Sequence, residues 1–353
     1  MLFRATEGTV LTDLAKMAIP FCQAAECERA PRGAGRPPDY EDWAIAVLIT
    51  VAIMRRHHSK SSQYRFLHQH RKFFMTVFGW KSWPTRSTYF ARYRNAHRLF
   101  HWALIVQGRK AIEAGWADPT CVAVDKSLLF ARGPRWNQKD RKKNVLPALR
   151  GIDRDSQWGY STHHGWVQGY SYEVVVTASA GTTVWPCVAS ASTANLSERT
   201  SFGSKIELLP KTCRFVLADG GYNKNAFGER IEKEGASGRR FVCPPGRMFQ
   251  KETPSGYRLT RREQASRQWR VKRADFYRSR EGKKLYPLRG KTVEPFNEWF
   301  KRLFGLHDHV WHRGLKNNQT QLLAALFAYG LLLHYNHQKG KNNGQVQWIL
   351  DSI

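Results

Sequence analysis

Two short apolar segments, each leading into an aspartate, constrain the fold of this chain more than any other feature. Cys121-Val-Ala-Val leads into Asp125, and Arg214-Phe-Val-Leu-Ala leads into Asp219. Short apolar runs of this kind predict buried strands. A carboxylate is costly to bury unless it is paired or bound to a cation, and sites form at the carboxyl ends of strands in parallel or mixed sheets. The sequence therefore predicts a site at one edge of a sheet.

The segments around these two runs predict a mixed sheet with helices on its faces. Residues 169–179 and 182–192 form two β-rich runs joined by Ala-Gly, which predicts a hairpin. Helical patterns at 197–209 and 225–235 flank the strand that precedes Asp219, and a further short strand follows Arg239. An apolar helix over 321–335 should pack on the sheet. The predicted order is β-β-β-α-β-α-β-α, an α/β fold.

The first 118 residues predict an all-α region ahead of this sheet. An almost wholly apolar run from Tyr40 predicts the central helix of a bundle. A helix over 61–78, a turn with Pro84 and a basic helix capped by Ser87 resemble a helix-turn-helix over 61–98. That segment would offer Arg92 and its neighbouring arginines to DNA. A bundle helix with a solvated basic face explains the same pattern equally well.

The charge of the chain favours a nucleic-acid partner. There are 57 Lys and Arg residues against 28 Asp and Glu residues, a formal net charge of +29. Such an excess opposes a compact state by self-repulsion unless a polyanion neutralises it. Residues 246–290 alone hold fourteen basic and only four acidic residues, with aromatic rings interleaved. This density favours a basic insertion that contacts DNA over a solvated loop.

Cysteine use and hydropathy narrow the class of protein further. The six cysteines are scattered and none forms a Cys-x2-Cys pair, which predicts buried reduced thiols rather than a zinc site or disulfides. The N-terminus lacks the apolar core of a signal peptide, and the longest apolar run, 44–54, is too short to span a bilayer. We therefore expect a cytoplasmic protein with no membrane partner. The polar segment 341–353 predicts a flexible tail.

A third carboxylate comes from the stretch Tyr286-Pro-Leu-Arg289-Gly-Lys-Thr-Val-Glu294-Pro-Phe-Asn-Glu298-Trp-Phe-Lys301. A capping residue at Thr292 and aromatic residues at helical spacing predict a loop that becomes a helix near Thr292. Glu294 would then stand at the exposed tip of that helix, where a carboxylate is favoured by the helix dipole. The stretch is acidic at the start of this helix and basic at its end.

Three such carboxylates in a basic protein suit a site with two divalent ions, Mg²⁺ or Mn²⁺. Hard carboxylate oxygens bind such ions while leaving positions open for water and phosphate. The candidates for catalysis and for metal binding are therefore Asp125, Asp219 and Glu294. Glu298 is the rival third carboxylate.

Taken together, the three motifs resemble the DDE transposases of bacterial insertion sequences, in the group whose third motif is Tyr-x2-Arg-x3-Glu-x6-Lys. Tyr286 and Arg289 have the separation of that motif, and six residues lie between Glu294 and Lys301. Four residues rather than three separate Arg289 from Glu294. Val-Ala-Val-Asp125 and Leu-Ala-Asp219-Gly-Gly-Tyr resemble the first two motifs, and the resemblance covers roughly residues 121–312.

The resemblance implies an RNase H-like catalytic domain over 119–340 and metal-dependent DNA cleavage at transposon ends, followed by strand transfer into target DNA. It implies that Tyr286, Arg289 and Lys301 hold double-stranded end DNA near the cut, with Arg302 beside Lys301 as a further contact. A homodimer bound to DNA is the expected assembly. Two alternatives remain: a non-catalytic DNA-binding relative of a transposase, and a nuclease on the same fold.

Overall fold

The structure is a computed structural model of the chain, and it describes residues 5–29, 39–135, 137, 139, 142–143, 151–233, 238–246 and 260–353. Residues 31–38, and residues 247–259 of the basic segment, lie outside the described residues.

The N-terminal region is helical, as the sequence predicts. Its helices are α1 Ala5–Glu28, α2 Asp42–Met54, α3 Lys60–Gln69, α4 Arg71–Phe78, α5 Arg86–Asn95 and α6 His97–Glu113. Every residue of α2 from Ala44 onward is buried, which confirms its central place. The single helix predicted over 61–78 is wrong, because the chain divides at His70 into α3 and α4.

The helix after the turn begins two residues earlier than expected. Thr85, rather than Ser87, caps α5: its extended backbone lets its hydroxyl accept a hydrogen bond from Thr88 N. Ser87 lies inside the first turn of α5, where its hydroxyl instead meets the hydroxyl of Thr85 at 2.9 Å.

The strands form one mixed sheet in the order β2-β3-β1-β5-β6, with β4 also paired to β3. Their bounds are β1 Cys121–Phe130, β2 Gln157–Ser161, β3 Gly165–Thr177, β4 Pro186–Thr193, β5 Phe215–Leu217 and β6 Arg240–Val242. β3 is antiparallel to β1, β2 and β4, while β5 is parallel to β1 and β6. The RNase H-like mixed sheet predicted from the sequence is confirmed. The prediction missed β2, which is short and lies in a polar segment.

The remaining helices cover the sheet and close the chain. They are α7 Glu198–Gly203, α8 Asn225–Lys233, α9 Arg261–Arg278, α10 Arg280–Leu285, α11 Pro287–Leu303, α12 Leu315–Gln338 and α13 Gln347–Asp351. The predicted start of α11 at Thr292 is wrong. Pro287 occupies the first turn, and the Thr292 hydroxyl donates to Leu288 O inside the helix instead of capping it.

The two faces of the sheet pack against different helices, and β1 alternates between them. Val122 and Val124 join the core under α7 and α8. Ala123 joins the larger core, which contains Phe296 and Phe300 of α11 and most of α12. The next two residues of β1 are Asp125 and Lys126. Because side chains alternate along a strand, they also point to opposite faces of the sheet.

The larger core continues from the sheet into the N-terminal helices. Leu14 of α1 and Leu48 of α2 share one hydrophobic cluster with Leu326 of α12. Division of the chain at residue 118 stays a prediction. The segment 341–353, expected to be a flexible tail, instead carries α13 and buries Ile349 completely. No helix among the described residues has the length and apolar character needed to cross a membrane.

Candidate active site

Asp125 lies within β1, at the point where β1 separates from β5. The parallel pairing of the two strands ends at the pair of Ala123 with Leu217, and β1 then continues along β3 with Asp125 opposite Val174. The sequence predicts that Asp125 lies near a strand end, but β1 runs on to Phe130. Asp125 nevertheless stands just past the carboxyl end of the parallel pairing, which is where a site was expected.

Asp219 is brought beside Asp125 by the register of the two strands. Ala123 pairs with Leu217 across the two strands. Asp125 follows Ala123 by two positions, and Asp219 follows Leu217 by two positions. Because side chains alternate with a period of two, both carboxylates point to the same face. The Asp219 backbone remains extended, and its Oδ1 accepts a hydrogen bond from Gly221 N at 2.9 Å.

Arg289 of α11 connects all three predicted carboxylates. Its Nη2 lies 2.7 Å from Asp125 Oδ1 and 3.9 Å from Asp219 Oδ2, and its Nη1 lies 2.6 Å from Glu294 Oε1. The structure thus brings the three side chains together around one positive charge. Glu298, the rival carboxylate, lies one turn further along α11 and is exposed.

Asn297 is a further site residue that sequence reasoning missed. Its Nδ2 donates to Asp125 Oδ2 at 2.8 Å, so each oxygen of Asp125 is bonded to a different side chain of α11. Among the residues that the structure describes, Asn297 Oδ1 and Arg289 Nε are buried and have no hydrogen-bond partner. The available signal was spacing: Asn297 follows Glu294 by three positions on a helix.

The carboxylates form a gradient from the interior to the surface. The side chain of Asp125 is 20% exposed, that of Asp219 38% and that of Glu294 55%. Burial raises the pKa of Asp125 to about 6; Arg289 opposes this shift and Asp219 adds to it. Burial works against the charge of Arg289, but the surrounding carboxylates outweigh it and raise the pKa of the guanidinium.

Glu198, the first residue of α7, is a fourth carboxylate at this site and was also missed. A methyl group at Gly221 would meet Glu198 Oε2 at 1.8 Å and Asp219 Oδ1 at 3.0 Å, so the two carboxylates border one backbone position. Burial and then the charge of Asp219 raise the pKa of Glu198 to about 7, while Lys126 opposes the shift. Ser197 caps α7, and an acid after a cap is too common to mark a site.

A second charged cluster lies on the opposite face of the sheet. Lys205 Nζ lies 2.5 Å from Glu173 Oε2, and Tyr222 donates its hydroxyl to Glu173 Oε1 at 2.9 Å. The side chains of Lys205 and Glu173 are each only 1% exposed. Lys126, opposite Glu173 in the sheet, donates to the carbonyl oxygens of Ala194 and Leu196. Burial lowers the pKa of Lys205, and Glu173 opposes that shift.

Two of the predicted DNA contacts lie towards the end of α11. Lys301 Nζ is 2.8 Å from Asp308 Oδ1, so its charge is partly neutralised within the chain. Arg302 is exposed, with its guanidinium 5.1 Å from the centre of the Trp299 ring. Both residues stay predictions as DNA contacts.

Two more of the five predicted contacts, Tyr286 and Arg92, are held more firmly by the protein. Tyr286 is half-buried with its ring 5.0 Å from that of Tyr277, and burial raises the pKa of its hydroxyl to about 12. Arg92 lies far from the carboxylates in sequence and forms an ion pair with Asp42 at 2.7 Å and a hydrogen bond to Tyr40 O at 3.0 Å. Arg92 thus joins α5 to α2, and its DNA contact stays a prediction.

The side-chain oxygens of the site are chemically suited to bind a divalent cation. Within the described ranges, no three His, Cys, Asp or Glu side chains are already arranged as a metal-binding group. The guanidinium of Arg289 lies between the carboxylates and supplies a positive charge there. The donors are hard oxygens, including the unpaired buried Asn297 Oδ1, and these are the ligands that Mg²⁺ prefers.

An RNase H-like sheet that presents converging carboxylates in a strongly basic chain defines a class of enzymes that act on nucleic-acid phosphates. The family model described as the transposase DDE domain matches residues 111–331, more than half of the chain, and the chain belongs to this family. Members of this family are transposase or nuclease-type enzymes, act on DNA and generally use divalent metal ions. A search of curated proteins found no match.

Proposed function

We propose that this chain is an active transposase that cleaves DNA at transposon ends and joins the freed 3′ hydroxyl to target DNA. The observation that carries the proposal is the convergence of Asp125, Asp219 and Glu294, from three separate segments, on one guanidinium. Side chains so distant in sequence have no shared structural need to meet. Such clusters of carboxylates are a recurrent means of catalysing phosphoryl transfer.

Asp125, Asp219 and Glu294 would hold the divalent ions, Mg²⁺ or Mn²⁺. When bound, such ions activate the attacking hydroxyl and stabilise the leaving oxygen. Arg289 offsets part of the negative charge of the carboxylates, and its own charge would become available to a DNA phosphate once a cation replaced it. Asn297 would hold Asp125 in position throughout, since its hydrogen bond to Asp125 does not involve Arg289.

DNA would approach from the exposed side of the cluster, along surfaces rich in basic residues. Tyr286 immediately precedes α11, and Lys301 and Arg302 lie towards its end. A groove of about 800 Å³ lies between α8, β6 and α9, and its walls include Arg262, Arg270 and Trp269. Basic groups of this kind bind phosphates without reading sequence, so affinity should fall steeply as salt rises.

The test is a strand-transfer assay with Mg²⁺ on DNA that carries the inverted repeats beside the reading frame. We expect Asp219→Asn and Glu294→Gln each to reduce joined product on the order of 10³-fold, as when a group that stabilises developing charge is lost. Glu298→Gln is the matched control, because Glu298 is an exposed acid on the same helix, and it should retain activity.

Three other outcomes would contradict the proposal. If Glu298→Gln is inactive and Glu294→Gln is active, the third carboxylate is Glu298. Nicked DNA without joined products would indicate a nuclease on this fold. Tight DNA binding without any cleavage by the unaltered protein would indicate a non-catalytic relative.

A further inference from the structure

The hairpin formed by β2 and β3 extends beyond the rest of the sheet. β1 ends at Phe130, opposite Gly169, and the pairing of β4 ends at Tyr170. β3 itself begins at Gly165, so residues 165–168 pair with β2 alone among the described strands. We call residues 157–168 the protruding hairpin.

The protruding hairpin carries two exposed aromatic side chains that lie directly opposite each other. Tyr160 pairs with Trp166 in the register, and their ring centroids are 5.5 Å apart at an interplanar angle of 70°. Tyr160 is 63% exposed and Trp166 53%; within the described residues the only other large hydrophobic residue so classed is Trp348, at 36%. A cross-strand aromatic pair contributes at most about 1 kcal/mol to a sheet, and contiguous exposed apolar patches mark interaction sites.

The surroundings of the protruding hairpin suit a polyanion. The sequence from Gln157 to Tyr172 contains no acidic residue and places His163 and His164 at the tip. His164 Nε2 lies 3.8 Å from Asp308 Oδ1, the oxygen that Lys301 Nζ contacts at 2.8 Å. Asp308, which lies beside His164 at the tip of the hairpin, is thus already paired with a lysine.

This shared contact places the protruding hairpin next to the basic end of α11. Lys301 lies seven positions beyond Glu294, or roughly 10 Å along a helix. Arg135 adds a positive charge nearby, with its guanidinium 4.5 Å from the centre of the Phe130 ring. Phe130 itself lies against His164, with ring centroids 6.0 Å apart. A continuous surface therefore leads from the carboxylates to the hairpin.

The distance along this surface can be read from the strand. Val174 lies opposite Asp125, and Trp166 precedes Val174 by eight positions in the same strand. At about 3.3 Å per residue the aromatic pair is roughly 26 Å from Asp125. That distance corresponds to about seven or eight base pairs of duplex DNA, at ~3.4 Å each.

We propose that the protruding hairpin is a DNA-contacting element, in which the Tyr160–Trp166 pair packs against the duplex about seven base pairs from the bond held at the carboxylates. The inference rests on the proposed function, since it requires DNA at those carboxylates. The aromatic faces pack on sugars or bases, while the neighbouring basic groups face phosphates. A second copy of the chain is a poorer occupant of this patch in the absence of DNA, because two bodies of charge +29 then repel each other.

The test compares Tyr160→Ser/Trp166→Ser with the matched control Thr162→Ala, an exposed polar residue at the same tip. Both variants are made in an Asp219→Asn background. Their binding is measured with a duplex that carries the inverted repeat beside the reading frame. We expect the double variant to raise the Kd about tenfold or more, and the control to leave it unchanged. The slope of log Kd against log salt should change little, because no phosphate contact is removed. A hydroxyl-radical footprint should lose protection about seven base pairs from the cut.

An unchanged Kd and footprint in the double variant, with melting temperature preserved, would overturn the inference and leave the proposed function intact. Sedimentation distinguishes the competing occupant: if the double variant turns a dimer into a monomer while its Kd is unaltered, the hairpin binds a second copy and the inference is wrong. Failure of the Asp219→Asn protein itself to bind the duplex would overturn both proposals, and the two failures are thereby separated.

Discussion

β1 sends two adjacent charged side chains to opposite faces of the sheet, and the clusters that they join differ in exposure and in charge balance. On one face, Asp125 meets Asp219, Glu294 and a single guanidinium, and the side chains become more exposed towards Glu294. On the other face, near Lys126, Glu173 has each oxygen bonded to a different side chain and is almost wholly buried.

These differences in exposure and charge balance distinguish a structural ion pair from a candidate ligand-binding site. The buried pair is closed: its carboxylate is neutralised by one lysine and has no open side for a ligand. The cluster around Asp125 has three carboxylates for one arginine, and it keeps buried polar atoms without partners among the described residues. An excess of negative charge with access to solvent attracts cations, whereas a balanced buried pair does not.

The largest expected effect concerns the buried ion pair of Glu173 and Lys205. Lys205→Met should lower the free energy of unfolding by about 3 kcal/mol or more, because it leaves the carboxylate of Glu173 buried without its partner. Denaturant unfolding measures the change. Lys211→Met, at an exposed lysine, is the matched control and should change stability by less than about 0.5 kcal/mol.

Glu173→Leu/Lys205→Met should recover most of that loss, since replacing both members of a buried pair with apolar groups removes the unpaired charge. A double variant as unstable as Lys205→Met alone would contradict the view of this pair as a closed structural unit. It would point instead to a role for Glu173 beyond pairing with Lys205.

The next effect concerns the cluster of Asp125, Asp219 and Glu294 around Arg289. In the proposed metal site, Asp125 and Glu294 would have to release Arg289 to hold an ion, so Arg289→Gln should tighten binding of Mn²⁺ to the DNA-free protein about tenfold, or ~1.4 kcal/mol. Isothermal titration calorimetry measures this constant. Arg302→Gln removes an exposed arginine from the same helix and serves as the control. Weaker binding in Arg289→Gln would mean that Arg289 orders the carboxylates for the ion rather than competing with it.

The smallest effect concerns Glu198, which is influenced by charged groups of both clusters. Its pKa in the folded protein is about 7, above the usual value of 4.5, so folding favours the protonated form. As pH rises from 4.5 through 7, the folded protein loses a proton that the unfolded chain has already lost, and stability falls. Glu198→Gln mimics the protonated form and should be more stable than the unaltered protein by about 1 kcal/mol at pH 8, allowing for solvent screening.

The measurement is the difference in unfolding free energy between Glu198→Gln and the unaltered protein across pH, which cancels the titration of the buried histidines. The difference should vanish near pH 4.5. A difference that does not depend on pH would show that Glu198 is as readily ionised in the folded protein as in the unfolded chain.

Much of the sheet and the three carboxylates could be predicted because local pattern carried them. Asp125 and Asp219 follow runs whose apolar character marks buried strands, and Glu294 keeps the family spacing to Lys301. The start of α11 could not be predicted in the same way. Thr292 has the chemistry of a cap, but its hydroxyl bonds within a helix that Pro287 had already begun. Local propensity does not reveal which of two compatible starts is used.

Glu198 and Asn297 were beyond the sequence for a different reason. Each has an ordinary local role, as an acid after a helix cap and as a polar residue inside a helix. Only their neighbours in space distinguish them. The carboxylates of Glu198 and Asp219 both lie next to Gly221, and Asn297 donates a hydrogen bond to Asp125. These contacts join segments that are far apart in the chain, and the three-residue spacing of Asn297 from Glu294 does not reveal them on its own.

The sequence by itself determined the class of sheet, the basic character of the chain and the acids of the proposed site, since these follow from side-chain chemistry and short-range pattern. The tertiary structure decided which charges are open and which are closed. β1 turns Asp125 to one face and Lys126 to the other, and the helices that cover each face set the exposure of each cluster. Burial and charge balance depend on packing between distant segments, and the tertiary fold alone fixes that packing.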